Sequence, residues 1–313
     1  MNYIHILLIF IIIYIIYVFF YINISEISHY SNISDSKIDI SVVLLIKDNA
    51  NYIDYMDRQF KKLEKDSNFR FSYYIYENNS KDSSKNKLSK FMQNRNGKLV
   101  MEYTKKRANV GAISMDRGKL MADLRNKLKL KHGDLKTDYT ILMDTDIVFN
   151  NQLLLDMLNI INKNKIVMVT PFTICGSVLT KYKTFHYYDS LAVITKQNIS
   201  YKETNNTCLY DKCERCKLYR LHRDIYIDKE HMLSRDINVV KSAFGGFCLI
   251  RTDIYNKVNW DNTICEHHSF CKKVSNYGNI VVANKARAIM APDKTKDDDF
   301  NKYHSLLEKI YYK

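Results

Sequence analysis

Apolar positions along the chain fall alternately into strand-like and helix-like patterns. Ile38–Ile46 carries the unbroken run Val42-Val43-Leu44-Leu45-Ile46, which predicts a strand buried on both faces. Ala50–Leu63 follows with apolar residues at helical spacing, then a strand at Phe71–Tyr76 that runs into Glu77-Asn78-Asn79-Ser80. A helix over Ser83–Met92 and a strand over Lys98–Tyr103 come next. Ser114–Leu130 is the clearest amphipathic helix, with Leu120, Leu124 and Leu128 at i, i+4 and i+8. It leads into a strand that stops at Asp144, a helix over Leu153–Ile161, and a strand over Ile166–Thr170 closed by Pro171. Beyond Phe172 the pattern is irregular, and Lys202–Arg235 reads as an inserted loop or lid. Strands return at Ile237–Val240, Phe244–Ile250 and Ile280–Ala283, with a helix from Glu266 to Tyr277 stopped by Gly278. Strands alternating with helices imply βαβ units and a mostly parallel sheet. Ligands on such sheets bind beyond the carboxyl ends of the strands.

The stretch Tyr139–Asn150 is where that rule bears on chemistry. An apolar run ends in Asp144 and Asp146, one residue apart, and apolar residues then resume. Two carboxylates at the end of a buried strand are costly unless a cation neutralises them. Hard ions such as Mg²⁺ and Mn²⁺ take oxygen ligands, often a carboxylate or two plus substrate phosphates. The plain alternative is an Asp-x-Asp in a turn. No Gly-x-Gly and no Gly-rich phosphate loop occurs in the chain. Any phosphate must then be held by metal and basic side chains, which moves weight onto Asp144 and Asp146.

Bulk properties narrow the setting. The 313 residues suffice for one large domain, and 48 Lys+Arg against 34 Asp+Glu give a net charge of +14. That charge suits anionic partners, but no basic run appears, so no nucleic-acid partner is expected. Ile4–Ile22 is almost wholly apolar, and nineteen helical residues rise roughly 28 Å, enough for a bilayer core. Without a basic amino end or a small-residue cleavage site it reads as an uncleaved signal anchor. The expected organisation is a transmembrane segment at 1–23, a polar stem at 24–37, a catalytic domain at 38–292 with an insertion at 201–235, and a charged tail at 293–313. Asn23, Asn32, Asn198 and Asn205 each begin a glycan-acceptor triplet. With the anchor they point to a type II single-pass protein with a lumenal domain. Cys208, Cys213 and Cys216, followed by His222, admit a zinc knuckle or disulfides, and a lumenal setting favours disulfides.

The order of motifs resembles that of metal-dependent glycosyltransferases of the GT-A fold. Glu77–Ser84 looks like the acidic loop that in the family meets base and ribose, and Leu124-Arg125-Asn126 like the element before the Asp-x-Asp strand. Gly245–Arg251 resembles the glycine-rich acceptor strand, and Cys265-Glu266-His267-His268 the acidic helix start. Tyr76–Ser80, Arg117 with Arg125-Asn126, and Tyr188-Asp189 further resemble capsule-type α-1,3-mannosyltransferases.

The resemblance implies a mixed, mostly parallel α/β sheet and transfer of a hexose, mannose by likeness, from a GDP- or UDP-sugar to a glycan or glycoprotein. It implies Asp144 and Asp146 as metal ligands for Mn²⁺ or Mg²⁺, with His267 or His268 completing the set. It also implies donor contacts from Glu77, Asn79, Arg117, Arg125 and Asp144, and Glu266 and Asp189 at the acceptor end. Arg117 and Arg125 lie about two turns apart on one helix, near enough to aim at one anion. The family's second acid is replaced by His267, which leaves open whether Glu266 deprotonates an acceptor or stabilises a cationic sugar. Other readings are a sugar-phosphate nucleotidyltransferase and a membrane-tethered polyanion-binding protein without enzymatic activity.

Overall fold

A computed structural model describes residues 14, 37–66, 68–103, 115–163, 165–176, 187–189, 191–196, 236–263, 265–292 and 297–311. The chain divides into Met1–Ile38 and Asp39–Lys313, and the account below concerns the second unit. Among the described residues no helix is long and apolar enough to cross a membrane. The apolar stretch Ile4–Ile22, apart from Tyr14, lies outside them. So do most of the stem, all four triplets named above, and Cys208, Cys213, Cys216 and His222.

The chain runs β1 (Ile38–Ile46), α1 (Ala50–Leu63), β2 (Phe69–Asn78), α2 (Ser84–Phe91), β3 (Asn96–Glu102), α3 (Met115–His132), β4 (Tyr139–Met143), β5 (Ile147–Val148) and α4 (Asn151–Ile161). It continues with β6 (Ile166–Cys175), β7 (Ile194–Thr195), β8 (Ile237–Ser242), β9 (Phe247–Arg251), α5 (Thr252–Lys257), α6 (Glu266–Val274), β10 (Asn279–Met290) and α7 (Asp297–Tyr311). The strands form one mixed sheet in the order β3-β2-β1-β4-β9-β6-β10-β8-β7, with β5 on β10. Its parallel pairs include β2 with β3, β1 with β4 and β6 with β10. β9 runs antiparallel between β4 and β6.

Burial explains the strands. Every residue of β6 is buried, as are Ile40, Val42 and Leu44 on one face of β1 and Ser41 and Val43 on the other, so both faces of the sheet are covered. α4 lies on β6 and β10, while α3 packs on β2 and β3 and touches α6. α4 begins at Asn151 rather than Leu153 because the Asn150 side chain accepts the Leu153 N–H at 3.0 Å, an N-cap.

Two expectations are corrected. β6 does not stop at Pro171 but continues to Cys175. The ladder to β10 shifts register between Ala283 and Arg287, opposite Pro171 and Phe172, and β9 pairs with β6 at Met168 and Val169, ahead of the proline. A residue without an N–H is accommodated at such an irregularity. Gly245-Gly246 is not strand: both residues have positive φ, +66° and +68°, and they form a turn ahead of β9. The charged tail carries α7, which packs on β10 and α1. Phe300 and Leu307 of α7 are fully buried, and Phe300 stacks on Tyr55 at 4.5 Å with its edge toward Tyr52. Polar residues between those positions hide the apolar face of a closing helix.

If α7 is part of the core, Phe300→Ala should lower unfolding stability by about 3–5 kcal/mol, the usual cost of emptying a buried aromatic site. Denaturant titration measures this, and an unchanged midpoint would show that α7 is dispensable.

Candidate active site

β1, β2 and β4 end at the same rim, and each end carries polar groups. The β4 end is pinned by its main chain. The Asp144 N–H donates to Gly246 O at 2.8 Å, and Asp146 O accepts the Ala291 N–H at 2.8 Å. The Gly246 conformation is obligatory, because a Cβ there would sit 2.5 Å from Ile147 Cδ1 and meet the Tyr188 ring at 3.5 Å. Thr145, between the two aspartates, hydrogen-bonds the Asn49 side chain and so ties this turn to the end of β1.

Around that turn negative charge is concentrated. Burial pushes the Asp144 carboxyl up to about 6; Arg125 and Arg117 oppose the shift and Glu266 adds to it. Asp189 goes up to about 7, chiefly by burial and further by Asp144 and Glu266, against the N–H groups of Gly245 and Ala192 that hold it. The Gly245 N–H lies 2.9 Å from Asp189 Oδ2. The Tyr188 hydroxyl is raised well above its usual value, first by burial and then by Asp146, Asp144 and Asp189. Asp144, Asp146, Asp189 and Glu266 thus share one electrostatic neighbourhood, which a cation would relieve.

Glu266 opens α6 and is 8% exposed. Its Oε1 accepts from Arg125 Nε at 3.1 Å, and Arg125 is equally buried. Arg125 Nη2 also lies 3.3 Å from His267 Nε2, and its guanidinium stands over the Phe244 ring. Burial alone would raise the Glu266 carboxyl, but His267 and Arg125 outweigh it and hold the group below the usual carboxylate range. His267 itself is pushed down to about 3 by burial, so at neutral pH the positive charge facing Glu266 is that of Arg125.

These contacts redistribute the expected roles. Arg125 was expected on a donor phosphate, yet it faces Glu266, while Arg117 stands exposed in the first turn of α3 and still acts on Asp144. Both arginines act on Asp144, and Arg125 in addition pairs with Glu266. His267 stacks on Phe244 at 4.0 Å, and His268 Nε2 lies 2.8 Å from Leu191 O. Among the described residues no group of three His, Cys, Asp or Glu is placed to hold a metal ion together. The two aspartates remain an all-oxygen pair. Such a pair suits a hard divalent ion whose other positions come from phosphate and water.

The acidic loop after β2 is structurally engaged. Glu77 is fully buried and its Oε1 accepts the Ser80 N–H at 2.7 Å, while Oε2 has no hydrogen-bond partner among the described residues. Asn79 adopts a left-handed φ of 60°. Ser80, Ser84 and Asp82 accept the N–H groups of Asp48, Asn49 and Ala50, each at 2.9 Å, satisfying donors at the start of α1. Burial works to raise Asp82, yet its hydrogen bonds from Ser84 and Ala50 leave it lowered. Asn78, in an Asn-x-Ser triplet, is 6% exposed, which leaves no room for a glycan.

Sequence reasoning missed Thr173, whose hydroxyl donates to Gly245 O at 2.6 Å and fixes the glycine turn. Its one signal is a pair of threonines, Thr170 and Thr173, in an otherwise apolar strand. Cys175, Cys248, Cys265 and Cys271 are buried, and no disulfide joins them to one another.

The raised Asp189 acid sets a pH dependence. Its folded form holds a proton up to about 7 where an unfolded chain releases it near the usual carboxylate value, so stability falls as pH rises across that window. In metal-free protein, Asp189→Asn should raise the melting temperature by roughly 2–4 °C at pH 8 and much less at pH 5. Equal shifts at both pH values would remove Asp189 from the buried acidic group.

No protein-family model and no curated protein matches the chain. Among solved structures, it is similar to the mannosyltransferase PcManGT from Pyrobaculum calidifontis in complex with GDP-Man and Mn²⁺, at 10% identity and TM-score 0.49. That overlap covers 87% of this chain and 60% of the other, so the chain spans less than two thirds of that protein. TarS 1–349 of S. aureus gives 13% identity over 88% and 72% of the two chains, with TM-score 0.46. Glucosyl-3-phosphoglycerate synthase from Mycobacterium tuberculosis, in complex with Mn²⁺, UDP and glucosyl-3-phosphoglycerate, gives 11% identity over 87% and 78%, with TM-score 0.44.

Proposed function

We propose that this chain is a metal-dependent glycosyltransferase that moves a hexose from a nucleotide-sugar donor to a hydroxyl of a glycan or glycoprotein. The observation that carries the reading is the convergence of Asp144, Asp146, Asp189 and Glu266 near the carboxyl ends of the central strands. The order of sequence motifs supports the same reading. Mannose from GDP-mannose is the donor that the motif likeness favours. Ile4–Ile22 would anchor the domain on the lumenal side of a membrane.

Transfer breaks the bond between the anomeric carbon and a diphosphate oxygen and forms one to the acceptor oxygen. The nucleoside diphosphate leaves with the bonding pair, and the acceptor proton must pass to a base. Asp144 and Asp146 would hold Mn²⁺ or Mg²⁺, which when bound offsets charge on the departing diphosphate. Arg117, exposed beside Asp144, is placed to meet a donor phosphate.

The carboxylates then divide the work. Glu266 is kept ionised by Arg125 and suits stabilisation of positive charge on the sugar ring. Asp189, raised to about 7, suits proton exchange near neutral pH. Arg125 and His267 act through Glu266 as positioning residues.

Asp146→Asn should abolish metal-dependent nucleotide binding while leaving the thermal unfolding profile unchanged; full activity in that variant would refute the assignment. Glu266→Gln should reduce turnover at least 100-fold with donor affinity retained, the signature of an interaction made in the transition state. Loss of donor binding instead would move Glu266 to the donor side. A panel of GDP- and UDP-sugars assayed with Mn²⁺ or Mg²⁺, followed by determination of the product anomer, tests the whole reading. No metal-dependent consumption of any donor would overturn it.

A further inference from the structure

A cavity of about 1010 Å³ lies between the β7–β8 edge and α6. Among the described residues its lining includes Lys196, Lys241, Lys272 and Lys273, with His268 and a single acid, Asp261. Asp261 Oδ1 lies 2.7 Å from Lys273 Nζ, so the cavity's acid is already matched by one of its lysines. Lys196, Lys241 and Lys272 are exposed toward solvent. The balance differs in a second cavity of about 750 Å³, where Lys163, Lys165 and Arg251 meet Asp138 and Asp253. The positive lining therefore belongs to this cavity rather than to every hollow of a basic protein.

The cavity's place in the fold says which substrate it would serve. α6 starts at Glu266, and His268 and Ser269, within its first turn, already face the cavity. Ser269 Oγ donates to Glu266 O at 3.0 Å. The segment that carries Asp189 reaches the cavity through Ile194 and Lys196. Both acceptor-side carboxylates thus lead into it along the chain, while the β4 aspartates do not. Its volume lies at the upper end of small-ligand pockets, room for several sugar units rather than one ion.

We propose that this cavity binds the acceptor glycan through anionic substituents, phosphate or carboxylate groups carried on the sugar chain. The proposal rests on the glycosyltransferase reading above and adds the class of acceptor to it. Lysine ammonium groups are point charges without fixed geometry, so they recognise charge along a chain rather than one planar group.

The test uses the full chain in detergent and hexasaccharides that are phosphorylated, uronate-bearing or neutral. Calorimetric binding without donor should favour the anionic chains at least tenfold over the neutral one, with an affinity that falls as salt rises. The Lys196→Gln/Lys272→Gln double variant should lower that preference about tenfold, in binding and in KM for transfer. Equal affinity for charged and neutral chains would overturn the proposal. So would inorganic phosphate that competes as well as the phosphorylated hexasaccharide, or an oligonucleotide of equal charge that binds more tightly. Donor turnover without charge preference sinks this inference alone. Charge-selective, lysine-dependent binding without turnover of any donor sinks the glycosyltransferase reading instead.

Discussion

A guanidinium taken out of water beneath the rim of the sheet constrains everything above it. Arg125 comes from the middle of α3 and Glu266 from the first residue of α6, yet both are nearly inaccessible. Neither could be buried alone, because an unpaired interior charge costs several kcal/mol. Each therefore fixes the other, and with them the angle at which α3 and α6 meet. His267 and Phe244 fill the space against the pair with a stacked ring and leave Arg125 no room to swing away. The result is an ionised carboxylate held in place without a metal, next to aspartates that burial drives toward protonation. Arg125 opposes the effect of burial on both Glu266 and Asp144, but the balance falls on opposite sides in the two acids.

The rim itself is built from loops that satisfy one another. The donors at the start of α1 are met by Ser80, Asp82 and Ser84 from the far side of β2. Thr145 ties the β4 turn to Asn49. Thr173 and Asp189 fix the two ends of Gly245. None of these links belongs to a single secondary element. The rim is accordingly as well determined as the strands beneath it, which a site assembled from several chain segments requires.

Much of the architecture was legible where local rules decide. Ala50–Leu63 has the bounds that its helical spacing predicts, and β1 is continuous because its residues are apolar on both faces. Asp144 and Asp146 stand out in the sequence because a charge pair ending a buried run is conspicuous. Legibility failed where a distant partner overrides a local signal. Pro171 breaks an isolated ladder, but here it meets a register shift in β10. Arg125 and Arg117 look alike on one helix, and only the fold reveals that a residue 141 positions away occupies Arg125. The α7 face was obscured by the charges between its buried residues.

The pairing of β6 with β10 has a consequence for how the molecule forms. Met168 lies beside Ile280, so this parallel ladder closes across more than a hundred residues. Pairings of such separation pay their loop-closure entropy before any contact repays it, and they are slow. The block from β1 to β4 can collapse on local contacts, but Ala291 cannot brace Asp146 until β10 arrives. A nascent chain therefore carries its acidic cluster unbraced through most of folding, with the edge of β6 open to mispairing. Its working parts become a site only at the final docking step.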